Sequence, residues 1–158
     1  RAWNVRASNT PFDRMADFVG GRLWTELGGE ERNLMRLLFH PKGLRPFVKN
    51  WDVIAPLLWQ RAAREAESLG GAEMKAVLAE LEPLQDPAIL SHRWSGDLVP
   101  VMAIEIAMKG IELSLFTVIA TFGTAQDVTT DELRIESFFP ADDVTERFFR
   151  AALGDNAV

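Results

Sequence analysis

The spacing of apolar residues changes period once along this chain, from mostly helical in the first two thirds to alternate in the last third. Before that change, residues 3–8 (WNVRAS) alternate apolar and polar side chains and predict a half-buried strand. Asn9 and Thr10 then offer capping oxygens and Pro11 suits a first helical turn, so a helix should run to about Phe18 and stop at Gly20-Gly21. Leu23 and Trp24 form a short docking segment before Gly28-Gly29. Residues 30–39 read as a helix with Leu34, Leu37 and Leu38 on one face and Met35 and Phe39 on another. Pro41 and Gly43 cannot continue it, so the chain turns through His40-Pro41-Lys42-Gly43 into a turn of helix at 44–48. Asn50 is a good N-cap for the next helix, predicted to about Ser68, with Trp51, Ile54, Leu58 and Ala62 at helical spacing. Pro56 leaves the Asp52 carbonyl without its helical donor and predicts a bend. A helix over 72–81 ends at Pro83, and 86–90 makes one more helical turn.

Beyond residue 98 the period becomes two. Leu98, Pro100, Met102, Ile104, Ile106 and Met108 alternate with Ala103, Glu105 and Lys109, the pattern of a strand with one buried face. Lys109-Gly110 can make a tight turn. Ile111, Leu113 and Leu115 begin a second strand that becomes apolar on both faces from Phe116 to Phe122. A loop follows over 123–130. Leu133, Ile135 and Ser137 alternate with Arg134 and Glu136 in a last strand ended by Pro140. A terminal helix over 142–153 has Val144, Phe148 and Phe149 as its apolar side. Strands segregated from helices make the fold class α+β.

Composition narrows the function more than the fold. The 158 residues suffice for one domain with a core, and 47% apolar with 25% charged residues is ordinary for a globular chain. Without cysteine there is no disulfide, thiolate metal site or cysteine nucleophile, as in a cytoplasmic protein. A formal net charge of −6 argues against nucleic-acid binding by this segment itself. The apolar stretch 98–122 is interrupted by Glu105, Lys109, Gly110 and Glu112. Charges at a span's centre cost about 2.5–3.5 kcal/mol each, so two strands fit better than a membrane helix. The chain opens at Arg1 inside an expected strand, and a fragment of a longer protein is expected.

Three stretches together resemble a known family. In the first, Asn33, Arg36, Phe39, Pro41, Gly43, Leu44, Arg45, Pro46, Asn50 and Trp51 match the ligand-binding domain of MmyB-like transcription regulators, the C-terminal half of certain bacterial Xre-type helix-turn-helix proteins. The second, GTAQDVTTDELRIESFFPADD at 123–143, resembles that family's closing strand and loop. The third, WNVRASNTPFDRM at 3–15, resembles the opening strand and first helix of a PAS-like sensor. The resemblance implies an antiparallel sheet of about five strands with a helical insert between strands two and three. It also implies a non-enzymatic ligand-sensing domain, a helix-turn-helix domain upstream through which alone DNA is bound, and a homodimer. Pro56 inside the long helix departs from the family pattern.

Catalytic chemistry finds little support. His40 and His92 are the only histidines and lie beside turns, and no zinc-protease, nucleophile-elbow or phosphate-loop motif occurs. The pairs Glu30-Glu31 and Asp142-Asp143 open helices, where carboxylates are favoured. No cofactor or metal is expected. Five tryptophans, ten phenylalanines and no tyrosine make the aromatic residues chiefly apolar, and most belong in the core. An interior of Trp, Phe, Leu and Met can also enclose an apolar ligand. By analogy with the resembled fold, Met35, Phe39, Leu58, Met102, Ile104 and Leu115 are candidate walls, with a fatty-acid-like molecule as the ligand. Asn33 and Arg36 lie one turn apart, and Arg36 and Arg45 are the candidate cations for an acidic head group. Arg36 could instead form a structural salt bridge, and Arg45 could pair with Asp52 or cap a helix. A small enzyme or lipid carrier on a similar α+β fold, or a dimerisation module with a filled core, are the competing readings.

Overall fold

A computed structural model describes residues 2–27, 32–67, 71–91, 103–121 and 134–153. Among the described residues six helices precede a three-stranded sheet and a seventh follows it: α1 (Thr10–Val19), α2 (Leu23–Glu26), α3 (Leu34–Phe39), α4 (Trp51–Glu67), α5 (Ala72–Leu81), α6 (Pro87–Ser91), β1 (Ile104–Met108), β2 (Ile111–Thr121), β3 (Arg134–Pro140) and α7 (Asp143–Leu153). The class is α+β. Among the described residues the sheet has three strands, antiparallel in the order β1-β2-β3, where about five were expected.

The expected first strand is the main difference. Ala2 and Trp3 both take left-handed backbone angles (φ 53° and 64°), which break a pleat at once. Among the described residues only Asn4 of this segment makes a ladder contact, an isolated antiparallel bridge to Asn33. The segment is held by that bridge, by the Leu34 N–H donating to the Trp3 carbonyl (3.0 Å), and by the Asn33 amide.

Local chemistry explains most elements. Asn9 caps α1, its side-chain oxygen accepting from the Phe12 N–H at 3.0 Å. α3 begins later than expected: Arg32 is left-handed (φ 51°), so the helix starts at Leu34 under the cap of Asn33. It ends at His40, where the chain folds back so tightly that a Cβ on Gly43 would lie 2.0 Å from the Leu37 carbonyl oxygen. The hairpin between β1 and β2 turns at Lys109 and Gly110, both with positive φ, as a two-residue turn of the primed type demands. α4 is one helix through Pro56. Predicted strand residues 98–102, His92, Trp94, the pair Glu30-Glu31 and the loop at 123–130 lie outside the described residues.

Two cores meet at α3. Met35 and Phe39 face a helical core with Ala55, Trp59, Ala62 and Ala66 of α4 and Met74, Val77 and Leu81 of α5. Leu37 faces the other way, towards Ala16 and Trp24. The sheet's inner face forms a third core: Ile106, Met108 and Leu115 pack on Met15 and Val19 of α1, with Phe138 and Phe149 against them. α7 lies beside α1. Phe148 meets Phe18 at 4.8 Å while Phe149 enters the sheet core, so both adjacent phenylalanines are used inside the domain. Val144 is exposed, and the buried residue of that helix start is Thr145, whose hydroxyl accepts from the Ser114 N–H at 2.8 Å.

The chain before α4 runs along β1. The Lys49 N–H donates to the Glu105 carbonyl (2.8 Å), and Val48 bridges Ile106. Asn50 then imitates a peptide group: its amide donates to the Ala103 carbonyl (2.9 Å) and accepts from the Glu105 N–H (3.1 Å). The expected cap role falls to the Asn50 backbone carbonyl, which accepts from Val53 and Ile54. Asn50→Ala should therefore lower unfolding free energy by about 1–2 kcal/mol, two half-exposed hydrogen bonds' worth, measured by urea denaturation. A loss within 0.3 kcal/mol, on the order of ordinary surface substitutions, would show that backbone pairing alone holds this join.

Candidate functional site

The residues singled out from the sequence separate into three places. Met35 and Phe39 are fully buried in the helical core, with Leu58 packed against it. Ile104 and Leu115 face the sheet core. Met102 lies outside the described residues. Asn33, 0% exposed, is an internal tie: its oxygen accepts from the Arg36 N–H (3.0 Å) while its nitrogen donates to the Ala2 carbonyl and to Asn4 Oδ1, both at 2.6 Å. Arg36 reaches outwards to α5, clasping Glu80 through Nε (3.0 and 3.1 Å) and Nη2 (2.7 Å). The salt-bridge alternative for Arg36 is thus the observed one, near the surface. Arg45 donates to the Leu84 carbonyl (3.1 Å) and lies over the Trp51 ring at 5.6 Å. The Trp51 indole N–H and Gln85 Oε1 are buried beside this arginine and Phe39 without hydrogen-bond partners among the described residues.

A different cluster has the chemistry of a site. On β3, Arg134 and Glu136 share the sheet's inner face with Thr117 and Ile119, as the β2–β3 register requires. Ile135, on the outer face, is 57% exposed. The inner pair is matched from α4, where Arg61 and Glu65 lie one turn apart and bridge each other at 3.1 Å. Arg134 Nη1 bonds the same Glu65 oxygen, and the other oxygen accepts from Trp3 Nε1 at 2.8 Å. The Arg61 guanidinium covers the Trp3 ring at 4.8 Å. Long charged side chains, rather than close apolar packing, therefore join this half of the sheet to α4.

The two carboxylates are driven apart. Burial pushes Glu65 upwards, but hydrogen bonds from Trp3 and Arg134 and the surrounding positive charge outweigh it and hold the group below its ordinary 4.5. For Glu136 burial wins over the pull of Arg61 and a hydrogen bond from the Thr117 hydroxyl, and the group sits above 4.5. The missed signal was paired spacing: opposite charges at i and i+4 on α4 and at i and i+2 on β3 each fall on one face. Among the described residues no group of acids and histidines could hold a metal, and no helix is long and apolar enough to cross a membrane. A cleft of about 220 Å³ lined by Lys49, Glu105, Glu112, Leu113, Ser114 and Asp142 lies at the other end of the sheet and includes none of the predicted site residues.

With this arrangement in view, comparison with known families is decisive. Residues 1–152 match the MmyB-like transcription regulator ligand binding domain. The chain belongs to that family. No curated protein and no solved structure matched it. The family is that of a transcription regulator's ligand-binding domain.

Two measurements test the sorting of these residues. Arg36→Met should cost less than about 1 kcal/mol, as surface ion pairs do, while Asn33→Ala should cost about 2–3 kcal/mol by leaving buried carbonyls unpaired. Equal losses in urea titrations would reverse the assignment. The second concerns pH. A carboxyl raised in the folded state contributes stability that is present below its unfolded value and lost as pH rises through the folded one. Glu136→Gln should thus be more stable than wild type at pH 7, the gap closing on acidification below 4.5. Glu65 acts oppositely, its contribution present above 4.5 and lost as pH falls. A Glu136→Gln variant less stable than wild type at pH 7 would show that the charge is needed there.

Proposed function

We propose that this domain is the sensor of a cytoplasmic bacterial regulator whose helix-turn-helix domain lies upstream, and that its ligand is a small apolar molecule with an acidic head, fatty-acid-like in chemistry. The observation that carries the reading is the polarity gradient along the sheet's inner face. Ile106, Leu115 and Phe138 are packed and apolar, Ile119 and Thr117 are half-buried, and Arg134 and Glu136 lead to Arg61 and Glu65. An acyl chain suits the first part and a carboxylate the second, since guanidinium forks bind carboxylates in fixed geometry. Ile104 and Leu115 keep their place as apolar walls. Arg61 and Arg134 take the head group ahead of Arg36 and Arg45: although both pair with Glu65, they lie at the end of the sheet's apolar inner face, whereas Arg36 pairs with Glu80 near the surface and Arg45 with the Leu84 carbonyl. The regulator works as a dimer on a two-fold DNA site, the arrangement such sites require.

Native mass spectrometry of the purified domain should reveal a co-purified acid. Laurate at 100 times its dissociation constant should stabilise wild type by about 2.7 kcal/mol through mass action, seen as a rise in melting temperature. Arg36→Met should keep that rise and Arg134→Met should lose most of it. If Arg36→Met loses the rise while Arg134→Met keeps it, the head group belongs on α3. No rise with laurate or other long-chain acids, together with an empty native spectrum, would end the fatty-acid reading.

A further inference from the structure

Glu65 serves two masters. One of its oxygens takes Arg61 and Arg134, the proposed head-group cations, and the other takes the indole N–H of Trp3. Trp3 belongs to the only described run of two consecutive non-glycine residues in the left-handed region, Ala2 and Trp3. Such a backbone persists only where its surroundings impose it. Here it is imposed from both sides: Asn33 and Leu34 hold the carbonyls of residues 2 and 3, while Glu65 and the Arg61 guanidinium hold the indole. Ala2 is buried in the helical core as a result.

We infer that residues 2–4 form a strap fastened by Glu65, and that an acidic ligand at Arg61 and Arg134 unfastens it. The inference rests on the acid-binding reading above and adds its mode of regulation. An incoming acid competes with Glu65 for Arg61 and Arg134, so the carboxylate loses the cations that position it and the Trp3 ring loses the guanidinium that covers it, and the fastening loosens. The left-handed residues then relax in the direction they favour. No bond is made or broken covalently. The signal is a change in the position of the Trp3 indole and in the order of the backbone beside it. Linkage makes the effect reciprocal: if the acid loosens the strap, loosening the strap must favour the acid.

The test uses the full chain with laurate as probe. In ¹⁵N-labelled wild type, laurate should shift the Trp3 indole resonance, identified by its absence in Trp3→Phe, and speed amide exchange at Asn4 and Val5 about tenfold. Trp3→Phe keeps a ring under Arg61 but loses the donor, and should bind laurate about fivefold more tightly by calorimetry. A raised melting temperature with the Trp3 indole and the Asn4 and Val5 exchange unmoved, or equal affinity in Trp3→Phe, would keep the acid site and overturn the strap. Absence of any laurate effect on wild type and variant would remove the acid site and the coupling together. The exchange measurement needs only wild type, so a destabilised Trp3→Phe would leave the question decidable.

Discussion

One buried amide holds the plan of this domain together. Asn33 starts α3 by accepting the Arg36 N–H and, with its nitrogen, takes hold of the chain's opening residues. α3 has only six residues, too few to be stable by helical hydrogen bonding alone. It exists because its start is fixed and both of its faces are used. Met35 and Phe39 point into one core and Leu37 into another, so the register set at Asn33 decides how α4 and α5 sit against α1 and α2. A buried side-chain amide left half-satisfied is costly, which is why this position tolerates little.

The elements whose cause is local were legible in the sequence. The Asn-Thr-Pro start of α1, the HPKG break and the Lys109-Gly110 turn rest on a few neighbouring residues and are found where their chemistry placed them, as is the part of the β1 alternation over Ile104–Met108 that lies in the described residues. The failures have a shared physical origin. Alternation in residues 3–8 looked like a strand, but backbone angles at Ala2 and Trp3 are decided by Asn33 and Glu65, roughly thirty and sixty residues away. The alternation on β3 left open which side faces inwards; the structure puts Arg134 and Glu136 there, where Arg134 meets Glu65 of α4. For the same reason Arg36, conspicuous in its motif, proved to have a nearby acid on α5, while Arg61, hidden among alanines, became part of the central cluster.

The division of labour between packing and charge is informative in its own right. The cores around Phe39 and around Met15 are built of apolar contacts, which change only by repacking. The junction between α4 and the far half of the sheet is made of ion pairs and one indole hydrogen bond, whose strength depends on what other charges are nearby. Under the reading proposed above, the joint that responds most to nearby charge is the one placed beside the acid.

The covering of β1 has a consequence for assembly. A strand with free N–H and carbonyl groups is a template on which another chain can add. Here residues 48–50 already occupy that side of β1, two bonds coming from a side chain that copies the peptide unit. The sheet is thereby stopped in one direction by its own chain. Copies of this domain cannot be stitched into a continuous ribbon through β1 unless the corner before α4 first comes away, and this guards against fibre growth.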